Sequence, residues 1–530
     1  MKFTRVRTLL PDWKTVLAAL ASAILLIGAF PDFEYWFLAW FALVPLLCAV
    51  EREKASAIRS FVLGWIFGTT FFFGTCWWLT FAPITYAGFP VWLAYSGMLF
   101  VALAVGVFPA IFAGVLSVLL RRFGSWAFLA APFVWVFTEF LRYWITGNNW
   151  NAIGYSQAFP ELGSLLWLWT ASIGGVLLTT GLVVFANGQV VRTLRLVTDS
   201  GATRQKLKRC FLEWSGLLFL YLVALTVNFG SMERVEAEKI WQTVIAVQPN
   251  VPMSGLDYRL LEQLRQRQID LAEAEIKKLT TDNIQPTTVI LPESPMNFMY
   301  SDDREFQQFI GDFARRNNVS VLFNSAEPDK TNGKYFNSAV MVGPDGRKVD
   351  EYDKIYLLPF GEAVPSMLEG LVPGFVGNFS YGSEYDLFPL GDAKAGVMIC
   401  FESHFGQLSR EYVRNGADVI IEMTNDGYLG QTPVLRQHLA NAVFRAVETN
   451  RPVLRVTNVG ITALIHKDGN MCDSLLRCGP EPYAEGTSVW SVSKSDGNQT
   501  FYVKYGDWFA WLCSIVTIGL LSYAIFRRRQ

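Results

Sequence analysis

Residues 395–403 read AGVMICFES: an uncharged run stops at a thiol, and polar residues at helical spacing take over from Ser403. That pattern predicts a buried strand running into a helix, with Cys400 on the turn between them. The alternation continues in both directions. Strand-like runs lie at 243–248, 288–293, 320–324, 338–342, 418–423, 453–458 and 462–466, and helical patterns at 259–280, 303–316, 403–414 and 433–449. Strands alternating with helices specify a layered α/β domain, here over about 230–506.

Outside that block the chemistry changes. The 530-residue chain is 52% hydrophobic and only 17% charged, with mean hydropathy +0.27, whereas soluble domains carry about a quarter charged residues. The deficit is local, since Phe61 to Leu120 contains no charged residue. One span of ~20 residues cannot use so long a run, and Pro83 with Gly88-Phe89-Pro90 divides it. Eight spans are predicted near 15–31, 33–50, 60–82, 90–120, 125–144, 163–187, 211–229 and 508–526. Residues 1–229 thus form a seven-span bundle, and 507–530 hold the eighth span and a basic tail. The first span passes directly into the second at Pro31-Asp32, which argues against a cleaved signal peptide.

Basic residues orient the bundle. Lys2, Arg5 and Arg7 precede the first span, and Arg52, Lys54 and Arg59 follow the second. Arg121 and Arg122 follow the fourth, Arg192 to Arg209 the sixth, and Arg527 to Arg529 close the chain. The intervening loops are nearly free of Lys and Arg. Positive charge is retained in the cytoplasm, so both termini are expected there and the α/β domain outside. A net charge of −1 offers no footprint for nucleic acid.

Three histidines (His404, His438, His466), no CxxC and no HExxH argue against a metal site. Other residue types are better placed. Cys400 stands where N–H groups of a new helix point, a position that favours a thiolate or an oxyanion. Glu293 follows four apolar or Pro residues in TTVILPE, where poor solvation makes a carboxylate a stronger base. Lys354 lies in DEYDKIYLLPFGE, just past a hairpin. Singly, each also fits a bland role: a buried small hydrophobe for the thiol, surface ion pairs for the other two. Cys48, Cys76 and Cys513 read as packing residues within spans, and Cys472 and Cys478 are spaced either to pair or to stay free.

LPES at 291–294, YDK with LLPFGE at 352–362, and CFES at 400–403 resemble the Glu-Lys-Cys signatures of the nitrilase superfamily. TNDGYLG at 424–430, QHLANAVFRAVETNRPVLRVTNVGITA at 437–463, WVFTEFLRYW at 135–144 and the eight-span frame narrow the likeness to its membrane-integrated branch, the apolipoprotein N-acyltransferases. The resemblance implies an αββα sandwich carrying catalytic Glu293, Lys354 and Cys400. It implies support from Glu362, the Phe401 N–H and Glu402, with no metal or cofactor. It also implies a phosphatidylethanolamine-like phospholipid donor and a diacylglyceryl apolipoprotein acceptor, handled by a monomer in the bacterial inner membrane. Phe401 and Tyr428 stand where the family often has tyrosine and tryptophan, and Tyr258 is the nearest aromatic to a family tryptophan.

A lipid substrate suits this frame, because extracting a C16 chain from a bilayer costs roughly 12 kcal/mol. Ser366–Ser383 carries Leu371, Phe375 and Phe379 in a glycine-rich stretch; it either covers the domain's own core or rests in the membrane interface. Glu139 and Arg142, near the outer end of the fifth span, either pair with each other or line a polar lipid pocket. Trp150 and Tyr155 are expected as interface residues. Two rivals use the same residues differently: a tethered amidase acting on soluble amides, and a transporter whose outer domain only binds.

Overall fold

The computed structural model describes residues 10–159, 165–198, 214–215, 242–296, 298–359, 361–363, 379–471 and 479–526. They divide into two compact units. One comprises Met1–Val235, Thr432–Ala440 and Tyr505–Gln530, the other Glu236–Gln431 and Asn441–Lys504.

The first unit is helical: α1 (Trp13–Ile27), α2 (Val44–Arg52), α3 (Ala57–Cys76), α4 (Val91–Val105), α5 (Val107–Phe123), α6 (Ala131–Thr146), α7 (Ala171–Thr198) and a last helix, Trp508–Phe526. Four stretches among the described residues are long and apolar enough to cross a membrane: Ala57–Thr85, Val91–Leu129, Ala171–Thr198 and Trp508–Phe526. The other expected spans differ. The 33–50 segment is three short pieces, the last begun by Pro45 at the start of α2. The 125–144 segment is a 3₁₀ turn (Gly124–Leu129) followed by α6, with Pro132 in its first turn. Proline fits a helix start but not its interior, so each ends one helix and opens another. The 211–229 span lies outside the described residues except Trp214 and Ser215. An unforeseen break occurs at Gly174-Gly175 in α7, where Gly175 has φ 68°.

Packing here depends on small residues. A Cβ on Gly64 of α3 would strike the backbone of Pro109 and Ala110 in α5, so the two helices meet at backbone contact. Phe67, Phe112 and Trp135 fill the adjoining space with edge-on ring contacts.

The second unit contains two sheets. The first runs β12-β1-β2-β3-β4-β5, with β6 also paired to β4: β1 (Gln242–Gln248), β2 (Thr288–Ile290), β3 (Ser320–Asp329), β4 (Lys334–Val342), β5 (Lys348–Asp353), β6 (Phe379–Ser380) and β12 (Gly486–Val492). The second runs β11-β10-β9-β8-β7: β7 (Leu387–Leu390), β8 (Ala393–Ile399), β9 (Val419–Thr424), β10 (Val453–Thr457) and β11 (Ala463–Ile465). Helices α8 (Tyr258–Thr281) and α9 (Arg304–Asn317) cover the first sheet. Their Ile269, Ile276, Phe306, Ile310 and Phe313 pack on Ile245, Val289, Val321, Phe323 and Val340. Each such side chain contributes about 1.5–3 kcal/mol by burial. Helix α10 (Gly406–Arg414) lies on β8, its Tyr412 hydroxyl donating to the Val397 carbonyl at 2.5 Å. Between the sheets, Thr457 and Thr462 both donate to Gln248 of β1. Helix α11 (Val434–Thr449) starts in the first unit and ends in the second.

Candidate active site

β8 is apolar and fully buried from Val397 to Ile399, as a strand flanked by β7 and β9 should be. It stops because Cys400 turns left-handed, at φ 52°, opening a 3₁₀ turn over Cys400–His404. The α-helix proper begins only at Gly406, three residues later than the expected start at Ser403, and His404 falls in the 3₁₀ turn. Of seven described non-glycine residues with positive φ, five are asparagine, the side chain that tolerates this region best. Cysteine has no such allowance, so the turn stores about 1–2 kcal/mol of strain. The thiol is thereby lifted out of the strand's pleat.

Glu293 lies three residues past the end of β2 at Ile290, not on the strand as expected, and hydrogen-bonds Cys400. Lys354 follows β5 directly. It is 1% exposed, with its ammonium 2.8 Å from Glu362 and 4.0 Å from Glu293. One lysine thus sits between two carboxylates. Burial alone would lower its pKa, but Glu362 and Glu293 outweigh burial and hold it above the usual lysine range, so it stays cationic. Burial pushes Glu293 up, opposed by Lys354 and reinforced by Glu362. Burial and then Glu293 push the Cys400 thiol well up, against the pull of Lys354. At rest the sulfur is therefore a thiol rather than a thiolate.

Two residues fix this arrangement. The Asn337 amide on β4 donates to Glu293 at 3.2 Å and to Glu362 at 2.7 Å; its own oxygen accepts from Asn324 at 2.6 Å. It keeps two like charges apart while satisfying both. Sequence reasoning missed it, since an asparagine inside a β-run carries no marker. Glu402 is 0% exposed and accepts from the Ile399, Ile355 and Tyr356 N–H groups and the Tyr352 hydroxyl at 2.7–3.0 Å. One side chain therefore joins the Cys400 turn to the segment just after Lys354. Burial lifts its carboxyl to about 7, against Lys354 and these donors. Phe401 is buried, with its ring against His404 and Phe405. Glu362 is held by the Leu358 N–H as well.

Next to the nucleophile, β8, β9 and β10 align Met398, Glu422 and Arg455 in one row. Arg455 pairs with Glu422 and, at 2.7 Å, with Asp426. A side chain on Gly460 would displace Asp426.

The remaining candidates fall elsewhere. Tyr258 is 71% exposed at the start of α8, and Tyr428 is 45% exposed in the 3₁₀ turn after β9. Phe379 belongs to β6 and is half-buried, with its N–H on the Glu362 carbonyl; Gly382 N–H bonds Lys354. Leu371, Phe375, Cys472 and Cys478 lie outside the described residues. Glu139 and Arg142 are both buried in α6, and each has its own hydrogen-bond partners. Glu139 accepts from Trp135 and the Ile153 N–H, while Arg142 donates to the Trp150 carbonyl and lies over Phe72. No ion pair joins them among the described residues, which corrects the pairing alternative. Tyr155 is buried rather than at an interface. No three His, Cys, Asp or Glu side chains group as metal ligands among the described residues.

A thiol hydrogen-bonded to a poorly solvated carboxylate, beside a fixed cation, is equipped for acyl transfer through sulfur. Residues 22–189 match the apolipoprotein N-acyltransferase N-terminal domain, and 286–496 the carbon-nitrogen hydrolase domain. The chain is 29% identical to an apolipoprotein N-acyltransferase of Geobacter metallireducens, over 100% of this chain and 99% of that protein. It is 29% identical to the Thermotoga maritima protein of the same name, over 99% and 95%. Among solved structures it is similar to Saccharomyces cerevisiae Nit3, a nitrilase-superfamily member, at 19% identity and TM-score 0.37, covering 48% of this chain and 90% of that one.

Proposed function

The chain belongs to the apolipoprotein N-acyltransferase family, and from that we propose that it moves a fatty acyl chain from a membrane phospholipid to the N-terminal amine of a diacylglyceryl-cysteine apolipoprotein. The observation that carries the reading is Cys400: a strained, left-handed thiol bonded to Glu293 beside the buried Lys354. Glu293 takes the thiol proton as sulfur attacks the ester carbonyl. Lys354 and the Phe401 N–H stabilise the tetrahedral oxyanion. The C–O bond then breaks, and the leaving lysophospholipid oxygen takes the proton back from Glu293. In the second half, the acceptor amine attacks the Cys400 thioester and gives a proton to Glu293. The C–S bond breaks, and that proton returns to sulfur. Glu362 and Glu402 hold Lys354 and the nucleophile turn in place.

The active protein is read as an eight-span inner-membrane monomer with both termini cytoplasmic and the α/β domain periplasmic. The basic loops and the four long apolar helices support that placement. The domain limits are 1–229, 230–506 and 507–530. The test is intact mass after mixing purified protein with phospholipid alone. One acyl group should appear on Cys400, be released by neutral hydroxylamine and be absent from Cys400→Ala. If lysophospholipid forms only when acceptor is also present, the two-step scheme is wrong. Ammonia release from small soluble amides would point instead to the amidase.

A further inference from the structure

We propose that Arg445 is a positioning residue for the nucleophile turn, anchored by Glu448, and that it fixes the peptide planes whose N–H groups receive the oxyanion. This rests on Cys400 being the acylated thiol. Arg445, on α11, is 1% exposed. Its Nη1 donates to the carbonyls of Ser403 and His404 at 3.1 and 3.0 Å, the last two of the Cys400–His404 turn. Its Nη2 pairs with Glu448 at 2.7 Å, and that carboxylate is equally buried. In a short 3₁₀ turn the carbonyls point one way and the N–H groups the other. Drawing the two final carbonyls onto a buried cation therefore sets the direction of the N–H groups at the opposite end, including that of Phe401.

Stability alone is a poor account of this pair. Burying an arginine and a glutamate costs as much as their attraction returns, and apolar residues of equal volume often serve the fold as well. The fit is close, too. A Cβ on Gly406 would come to 3.1 Å from the Glu448 carboxylate and 3.5 Å from the Arg445 guanidinium carbon.

Two reactions of the same thiol separate positioning from folding. Acylation by a soluble nitrophenyl ester passes through an oxyanion; alkylation by iodoacetamide displaces iodide without one. The full chain in detergent would be compared with R445M/E448Q, which removes both charges together, and with R445K, which keeps the charge but loses the planar fork. Acylation, read by intact mass, should fall about 30- to 100-fold in the double variant and by less in R445K. Alkylation should stay within about threefold, as expected where no oxyanion needs stabilising. Parallel loss of both reactions, or no loss of acylation, would overturn the proposal. A wild-type protein that is alkylated but never acylated would instead reject the acyl-transfer reading.

Discussion

Replacing Asn337 with alanine tests how Glu293 is kept ready to act as a base. The Asn337 amide donates to Glu293 at 3.2 Å and Glu362 at 2.7 Å. Hydrogen bonds to charged groups are worth about 1.5–3 kcal/mol, and the longer one to Glu293 belongs at or below the low end. Losing ~1.4 kcal/mol from the ionised form raises a carboxyl pKa by about one unit. Burial and Glu362 already hold Glu293 above the ordinary carboxylate range, and only its ionised form can accept the thiol proton. Acylation therefore rises with pH through the Glu293 titration, and Asn337→Ala should move that rise upward by about one unit. On the acid side the rate falls about tenfold, while at alkaline pH the variant approaches wild type. Asn337→Asp should shift it further, because a third carboxylate then sits between Glu293 and Glu362. The fold should tolerate both changes, since the Asn324 amide also donates to the Ser338 carbonyl at 3.0 Å. The assay is pre-steady-state acylation of Cys400 by a soluble ester, quenched for intact mass across the acid and neutral range. A pH profile that does not move would refute this account of Glu293.

Lys354→Met should slow acylation by about 10²–10³, as loss of an oxyanion partner does, with alkylation of Cys400 much less affected; equal loss of both would mean that Lys354 serves only to order the site. Cys400→Ser should be nearly as inactive as Cys400→Ala, because a hydroxyl is too weak an acid for Glu293, and substantial turnover by serine would count against that step. Serine at Leu371 and Phe375 should slow transfer from phospholipid far more than acylation by a soluble ester, whereas equal loss with both donors would assign those side chains to core packing. A periplasmic-side thiol reagent on spheroplasts should label a cysteine at Asn332 and not one at Thr203, and the reverse would overturn the orientation.

Much of the α/β domain was legible because its strands are apolar runs bounded by breakers. β8, β9 and β10 fall within two residues of their expected limits, as do α8, α9 and α11. β5 was not legible as a strand. KVDEYD at 348–353 buries only Tyr352 fully and resembles a solvated turn. β12 pairs at the sheet edge through GTSVWSV, whose interior is half-exposed. Of the site, the residues with distinctive chemistry could be read, while those acting through amides or buried pairs could not. Asn337, Arg445 and Glu448 have no local pattern that separates them from ordinary strand or helix residues. The membrane unit was the least legible, because hydropathy reports how apolar a stretch is and not where it breaks. Nothing in the sequence of 432–440 indicates that its Gln437 amide oxygen accepts from Trp78, Trp150 and Asn151 within the helical unit.

The left-handed backbone at Cys400 also sets the terms on which this position can change over generations. Glycine is the one residue that adopts that conformation without penalty, so Cys400→Gly should yield a chain that folds at least as firmly as the parent and catalyses nothing. Selection for a durable protein and selection for a working one therefore pull in opposite directions at a single codon. Where demand for the product lapses, a change at Cys400 that relieves the turn is no longer opposed by selection for catalysis.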